Sequence, residues 1–318
     1  MIWNAEEWKT QFELLRTQKK LKQKEETRFL LRSMRIEVFK HTTFLVKQGY
    51  YYNAKNQKKS FPDTQNMVLN TKFYHSPCPV HHVPTINGKT IVKIENIDCL
   101  LAAEQLLNDG YHPAVLNMAS RQNPGGGVQT GAGAQEENLF RRTNLFQSLY
   151  QFTPYATNFG LHKSKYQYPL DRNFGGIYTP HATVFRGTEQ EGYPLLETPF
   201  QMSFIAVAGI NRPRLASPEQ IIPELIEPVK NKMRTIFRIG LLHHHDSLVL
   251  GALGCGAFRN PPAHIARLFH EVMEEEEFKN KYKLLVFAIL DDHNARLKHN
   301  PDGNFLPFVK EFTLYDIN

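Results

Sequence analysis

The apolar positions of the chain fall into two periodic regimes separated by a polar stretch. Through residues 1–60, Trp8, Phe12, Leu15, Leu21, Phe29, Leu30, Met34, Val38 and Phe39 recur at helical spacing among many charges, which predicts one or two amphipathic helices. From 48 to 90 the pattern lapses. Tyr50, Tyr51, Tyr52, the Lys58–Lys59 pair and the prolines Pro62, Pro77, Pro79 and Pro84 read as a long connection with one strand, wrapping the core. Beyond it, short apolar runs at 114–118 (AVLNM), 204–210 (FIAVAGI), 247–250 and 284–290 (LLVFAIL) have the length of buried strands, and residues 175–187 alternate as strands do. Asp98 is placed to cap a helix through Leu107 that Gly110 ends. A helix from about 135 to 150 carries Leu139, Phe140, Leu145, Phe146 and Leu149. Ser217, Pro218 and Gln220 open a long helix towards Leu242, with Pro223 and Pro228 as potential breaks, and Pro262 opens another carrying Ile265, Phe269 and Met273. Phe305, Phe308 and Phe312 of the tail lie over a sheet edge in this reading. Strands alternating with helices predict an α/β fold, a three-layer α/β/α sandwich, with residues 1–90 as a helical extension and connecting segment and 91–318 as the main domain.

A chain of 318 residues with 41% hydrophobic positions can bury a sizeable core. It has no apolar run of about eighteen residues, and its acidic first decad, MIWNAEEWKT, lacks a signal-peptide core, so the expectation is a soluble intracellular protein, cytoplasmic or nuclear, without membrane contact. Cys78, Cys99 and Cys255 neither pair evenly nor show metal spacing, which fits a reducing compartment. His75, Cys78, His81 and His82 lack a partner set for zinc, and His243, His244 and His245 read as a polar helix end before a buried strand. Charge is uneven. Residues 1–60 hold fourteen Lys and Arg against six acids, so the rest of the chain amounts to −1 of the total +7. Such a face is either solvated or an electrostatic handle for a polyanion.

The chemistry concentrates in NMASRQNPGGGVQTGAGAQEE, residues 117–137. A strand delivers Asn117 to its carboxyl end, where open α/β sheets bind ligands. Asn117 and Asn123 can each donate to and accept from sugar hydroxyls. Pro124 then leads into Gly125, Gly126 and Gly127, whose backbone N–H groups form a nest suited to an anion, most often a phosphate. After seven intervening residues, Gln135, Glu136 and Glu137 stand at a helix start, where acids also simply complement the macrodipole. A second strand-into-glycine loop, Gly251 to Phe258, offers Gly251, Gly254 and Gly256 as donors beside the helix opened by Pro262, the makings of a diphosphate site. No GxxxxGKS motif occurs, which disfavours a P-loop nucleotidase. Cys255 lies within this loop without a histidine at nucleophile spacing.

NPGGG, seven residues and QEE resemble the signature of the poly(ADP-ribose) glycohydrolases, and VKIENIDCLLAAEQLLNDGYHPAVLNMAS and VLGALGCGAFRNPP are similar to the microbial branch of that family. The resemblance spans about residues 90–292. It implies a macrodomain-like fold with a central mixed sheet and hydrolysis of ribose–ribose bonds in ADP-ribose polymer, without a cofactor or metal. Its partners would be poly(ADP-ribose) and ADP-ribose, and ADP-ribosylated proteins or nucleic acids. Two adjacent acids diverge and cannot flank one bond, so one carboxyl must serve first as acid and then as base. The family pattern assigns that role to Glu137, with Glu136 orienting ribose hydroxyls. By the same carry-over Asn117 and Asn123 hold the terminal ribose, Gly125, Gly126 and Gly127 approach the scissile region, and Gln135 helps place the substrate. Gly251, Gly254, Cys255, Gly256 and Ala257 hold the diphosphate, Phe258 packs near the ribose, and residues 94–98 meet adenine. The microbial relatives suggest exo-cleavage and a setting in reversal of damage-induced ADP-ribosylation. A non-catalytic ADP-ribose reader, or a hydrolase of single ADP-ribose units on proteins or nucleic acid ends, would use the same glycine loops. The first 90 residues and the tail carry none of this chemistry in the reading.

Overall fold

A computed structural model describes residues 3–21, 24–62, 64–79, 83–291 and 295–313. His81, His82 and the last five residues of the tail lie outside them. In chain order the elements are α1 (Ala5–Leu21), α2 (Lys24–Gln48), β1 (Tyr50–Tyr52), β2 (Lys58–Ser60), α3 (Thr64–Asn70), β3 (Lys72–Tyr74), β4 (Ile91–Glu95), α4 (Cys99–Asn108) and β5 (Pro113–Met118). Then come α5 (Gln135–Arg142), α6 (Leu145–Tyr150), β6 (Gly176–Arg186), β7 (Leu195–Val207), β8 (Leu215–Ser217), β9 (Gln220–Ile221), α7 (Pro223–Leu242), β10 (Ser247–Leu250), α8 (Pro262–Met273), β11 (Leu284–Ala288) and α9 (Phe305–Thr313). A mixed seven-stranded sheet runs β3-β6-β7-β5-β10-β11-β4. The chain divides into two compact units, one of residues 1–71, 123–167 and 179–202, the other of 72–122, 168–178 and 203–318.

The second unit is built on the parallel strands β7, β5, β10, β11 and β4, with β3 antiparallel to β6. Leu116, Ile205, Leu250 and Phe287 turn one strand face towards Met233, Ile236, Ile265 and Phe269 of α7 and α8 in a single apolar cluster. The intervening Val115, Val249 and Val286 point the other way, and α4 packs on β5, β10 and β11 without joining that cluster. A strand with two apolar faces is stable only between two layers, so the expected layering holds here. Asp98 caps α4 by accepting from the N–H groups of Leu100 and Leu101 at 3.0 and 3.3 Å, and Gly110, at φ +82°, turns the chain after it. Phe308 and Phe312 of α9 are buried against Phe287, and α9 packs on the edge strand β4 as the tail's aromatics suggested. α7 ends at Leu242 before β10, with His243 to His245 between them.

One helix start differs from expectation. Ser217 and Gln220 pair across the β8–β9 hairpin, so the residues read as a capping box form its turn, and α7 begins at Pro223 in the N1 position. Pro228 lies inside α7 without ending it, although it has no N–H to offer the Glu224 carbonyl one turn earlier.

In the first unit α1 and α2 bury Trp8, Phe12, Leu31, Met34 and Val38 around Tyr193. Phe29 is 69% exposed, so the apolar seam of α2 runs through Leu31 rather than Phe29 and Leu30. The connection after α2 holds more structure than expected, a β1–β2 hairpin, α3 and β3. The single helix expected over 135–150 is two. Thr143 is extended and bridges Val184, and Asn144 Oδ1 accepts from the Thr183 N–H at 2.7 Å, so β6 diverts the chain between α5 and α6. No described helix is long and apolar enough to cross a membrane.

Candidate active site

Gly125 and Gly126 adopt φ of +76° and +52°, left-handed values natural to glycine. The Gly126 N–H donates to the Asn123 carbonyl at 3.0 Å and Val128 N–H to Gly125, while Thr130 and Ala132 N–H both return to the Gly127 carbonyl at 3.0 Å. These turns fold the loop over the first turn of α5. There Glu136 Oε1 accepts from Gly125 N–H at 3.0 Å and Glu137 Oε1 from Gly127 N–H at 2.8 Å. A Cβ on Gly126 would stand 2.5 Å from Glu137 Oε1, and one on Gly125 2.6 Å from the Phe140 ring. The triplet is therefore required for close approach, but not by a phosphate. All three of its N–H groups serve the chain itself, two of them its own carboxylates, and this corrects the anion nest expected here. The physical reason is proximity, since α5 brings two anions to a loop rich in donors.

Both acids are nearly enclosed, Glu136 at 3% and Glu137 at 7% exposure. Glu137 Oε2 is buried and has no hydrogen-bond partner among the described residues. Leaving a polar atom unpaired costs about 1–3 kcal/mol and points to use by something outside the fold. Beside the loop opens a cavity of about 550 Å³, walled by Asn123, Gly126, Gly127 and Thr130 on one side and Tyr150, Tyr155 and Phe159 on the other. Burial raises the Tyr150 hydroxyl well above its ordinary pKa, so it stays protonated. These aromatics were missed in the sequence. The signal for Tyr155 and Phe159 was the Tyr- and Phe-rich irregular stretch after α6.

The N-terminal helices prove to be part of this construction, contrary to expectation. Gly131 has no room for a side chain against the Arg32 backbone, nor Gly133 against the Arg35 guanidinium. Arg35 grips Glu189 through two bonds of 2.8 and 3.0 Å, the Tyr193 hydroxyl donates to Glu189 at 2.9 Å, and Arg141 donates to the Tyr193 oxygen at 2.9 Å and to the Ala132 carbonyl at 2.8 Å. Burial alone would raise the Glu189 carboxyl, yet bonding and charge from Arg35, with Arg141, hold it below the ordinary range. The chain of bonds thus runs from α2 to the loop just before Gln135.

In the second unit Asn117 is buried one residue from the carboxyl end of β5, in register with Ala206 of β7. The loop after β10 has its carbonyls tied down. Ala252 accepts from Cys255 N–H, Gly254 from Asn260, Cys255 from His299 Nε2 at 2.9 Å, and Phe258 from Arg212 N–H. Gly254 is at φ +75°, and a Cβ there would meet the Asn260 side chain at 2.6 Å. Among the described residues the N–H groups of Gly254, Gly256, Ala257 and Phe258 donate to nothing, so this loop, unlike the first, keeps its backbone donors open for an anion. Cys255 is fully buried and burial pushes its thiol far up, which excludes a ready nucleophile.

The first unit thus holds a buried acid pair on a glycine loop, with one carboxylate oxygen left unpartnered among the described residues. The family model of the microbial-type poly(ADP-ribose) glycohydrolase catalytic domain matches residues 40–187, which takes in the acid pair, begins within α2 and stops short of the second loop. Poly(ADP-ribose) glycohydrolase from Thermomonospora curvata is 25% identical, with a TM-score of 0.71 over 87% of this chain and 99% of that one. The same protein bound to the inhibitor ADP-HPD gives a TM-score of 0.69 over the same shares. The Deinococcus radiodurans poly(ADP-ribose) glycohydrolase in complex with ADP-ribose is 26% identical, TM-score 0.60, over 81% of this chain and 100% of that one. No curated protein matches the chain.

Proposed function

We propose that the protein hydrolyses the O-glycosidic ribose–ribose bond of poly(ADP-ribose) from the chain end, releasing ADP-ribose, with Glu137 as general acid and then base. The observation that carries the reading is Glu137 itself. Gly127 N–H fixes one carboxyl oxygen, and the other is buried without a partner, free to exchange a proton with substrate. Protonated Glu137 gives its proton to the departing 2′-oxygen as the anomeric C–O bond breaks, leaving an oxocarbenium-like sugar. The resulting carboxylate then takes a proton from water as the water oxygen bonds to the anomeric carbon, which restores the acid. Glu136, fixed by Gly125 N–H, orients ribose hydroxyls. Asn117 and Asn123 hold the terminal ribose, and Gln135 helps place it. The open N–H groups of the second loop suit the diphosphate, with Gly251, Gly254, Cys255, Gly256 and Ala257 as its cradle and Phe258 beside the ribose. Likeness to relatives solved with ADP-ribose and with the inhibitor ADP-HPD supports that ligand. The fold would then be a macrodomain spanning 91–318, extended by residues 1–90, acting in reversal of damage-induced ADP-ribosylation.

The test is release of ADP-ribose from purified polymer by wild type and Glu137→Gln, with ADP-ribose binding measured for both. The amide keeps the acceptor for Gly127 N–H and cannot give up a proton as an acid. Loss of about 10²–10⁴ in rate with binding retained is expected. Binding without hydrolysis by either form would make the protein a reader.

A further inference from the structure

Of the cavity beside the acid-bearing loop the terminal ADP-ribose takes only the Asn123 corner, and the aromatic side of Tyr150, Tyr155 and Phe159 is left without a role. We propose that it is the subsite for the leaving nucleoside, the adenosine of the next polymer unit, with its purine stacked on Tyr155 and Phe159. The inference rests on the glycohydrolase reading, because only a polymer presents a nucleoside as leaving group.

Position argues first. Gly126 and Gly127, where an added Cβ would come 2.5 and 3.6 Å from Glu137 Oε1, also form the cavity's wall, so a group departing past Glu137 meets this space. Size agrees, since about 550 Å³ lies within the range of small-molecule sites of roughly 300–1,000 Å³. Chemistry agrees as well. Tyr155 and Phe159 are both partly exposed, with ring centroids 6.4 Å apart, and each packs on the buried Tyr150, at 5.6 and 4.5 Å, so the exposed rings stand on a fixed base. Base–aromatic stacking needs such a platform and no sequence readout. Gln129, Thr130 and Asn158 add amide and hydroxyl groups to the wall, able to meet purine nitrogens and ribose hydroxyls. The leaving unit also carries a diphosphate. Gly131, next after Thr130, touches the backbone of Arg32, an exposed cation on α2 with no ion-pair partner among the described residues. Arg28 is exposed one turn earlier on the same helix. Aromatic floor and polar wall, with exposed arginines on the helix that packs against the same loop, are the combination that binds a single-stranded nucleotide polymer.

The experiment compares two substrates with one terminal unit and different leaving groups: purified poly(ADP-ribose), and ADP-ribose joined through its distal anomeric carbon to nitrophenol. Wild type, Tyr155→Ala and Tyr155→Phe are assayed on both, with thermal unfolding as a check on folding. A fall of about ten-fold in kcat/KM on polymer for Tyr155→Ala is expected, carried by KM, with the nitrophenyl substrate unaffected and activity restored in Tyr155→Phe, which keeps the ring. Equal losses on both substrates would make the ring a structural prop and overturn the subsite, as would no loss on either. A wild type that binds ADP-ribose yet cleaves neither substrate overturns the glycohydrolase reading, and the subsite with it.

Discussion

At the residue scale the glycine triplet and the acid pair are one device. Glu136 and Glu137 reach back eleven and ten residues to the loop, so their geometry depends on how closely that backbone approaches. Gly126→Ala tests this. Its Cβ would fall 2.5 Å from Glu137 Oε1 in a residue held at φ +52°, so the carboxylate must move. Displacement of a catalytic group by about 1 Å costs on the order of 10²-fold. We expect that loss in kcat, with a melting temperature lowered by only a few degrees, as about 1–2 kcal/mol of backbone strain predicts. Unchanged kcat would show that the carboxylate position is set elsewhere. The spacing of NPGGG and QEE made this site legible in the sequence. The partner of the glycine N–H groups was not legible, since a nest for phosphate and a nest for carboxylate have the same letters.

At the element scale, periodicity found most strands and helices and failed where long-range pairing overrode it. Leu139, Phe140, Leu145, Phe146 and Leu149 fit one helix, and only the Thr143 bridge to Val184 and the Asn144 bond to Thr183 break it. The Ser217–Gln220 segment is a hairpin because strand pairing claims its backbone, a choice local propensity does not reveal. The joint between α2 and the acid-bearing loop was hidden for a related reason, as Arg35 and Glu189 lie 154 residues apart. That joint carries a pH signature. Glu189 titrates lower in the folded chain than in the unfolded one, so its contribution is fully present above about pH 4.5 and is lost as pH falls through the folded value. Urea unfolding of Glu189→Gln should therefore show a loss of about 3–5 kcal/mol near pH 7, where a buried pair is broken. The difference from wild type should shrink below pH 4. A gap that stays constant across this range would assign the loss to packing instead.

At the scale of the molecule, the two compact units are interleaved in sequence, the chain passing between them five times. A division into extension and domain near residue 90 describes the order of the letters, while contacts group residues 1–71 with the glycine loop and both glutamates. The basic excess therefore belongs to the unit that holds the acids. Residues 1–60 carry +8 and the remainder −1, and Arg28, Arg32, Lys40 and Lys47 are exposed along α2. If this face steers a polyanion, association weakens as salt releases the advantage of displaced counterions. KM for long polymer should rise steeply between about 50 and 200 mM salt while kcat holds, and the charge reversal Lys40→Glu with Lys47→Glu should raise KM at low salt and flatten that dependence. The nitrophenyl substrate, with a single diphosphate, should show little of either effect. Identical salt slopes for the double variant and wild type would leave the face as solvated charge, and would put the recognition of polymer entirely within the acid-bearing loop and its neighbouring cavity.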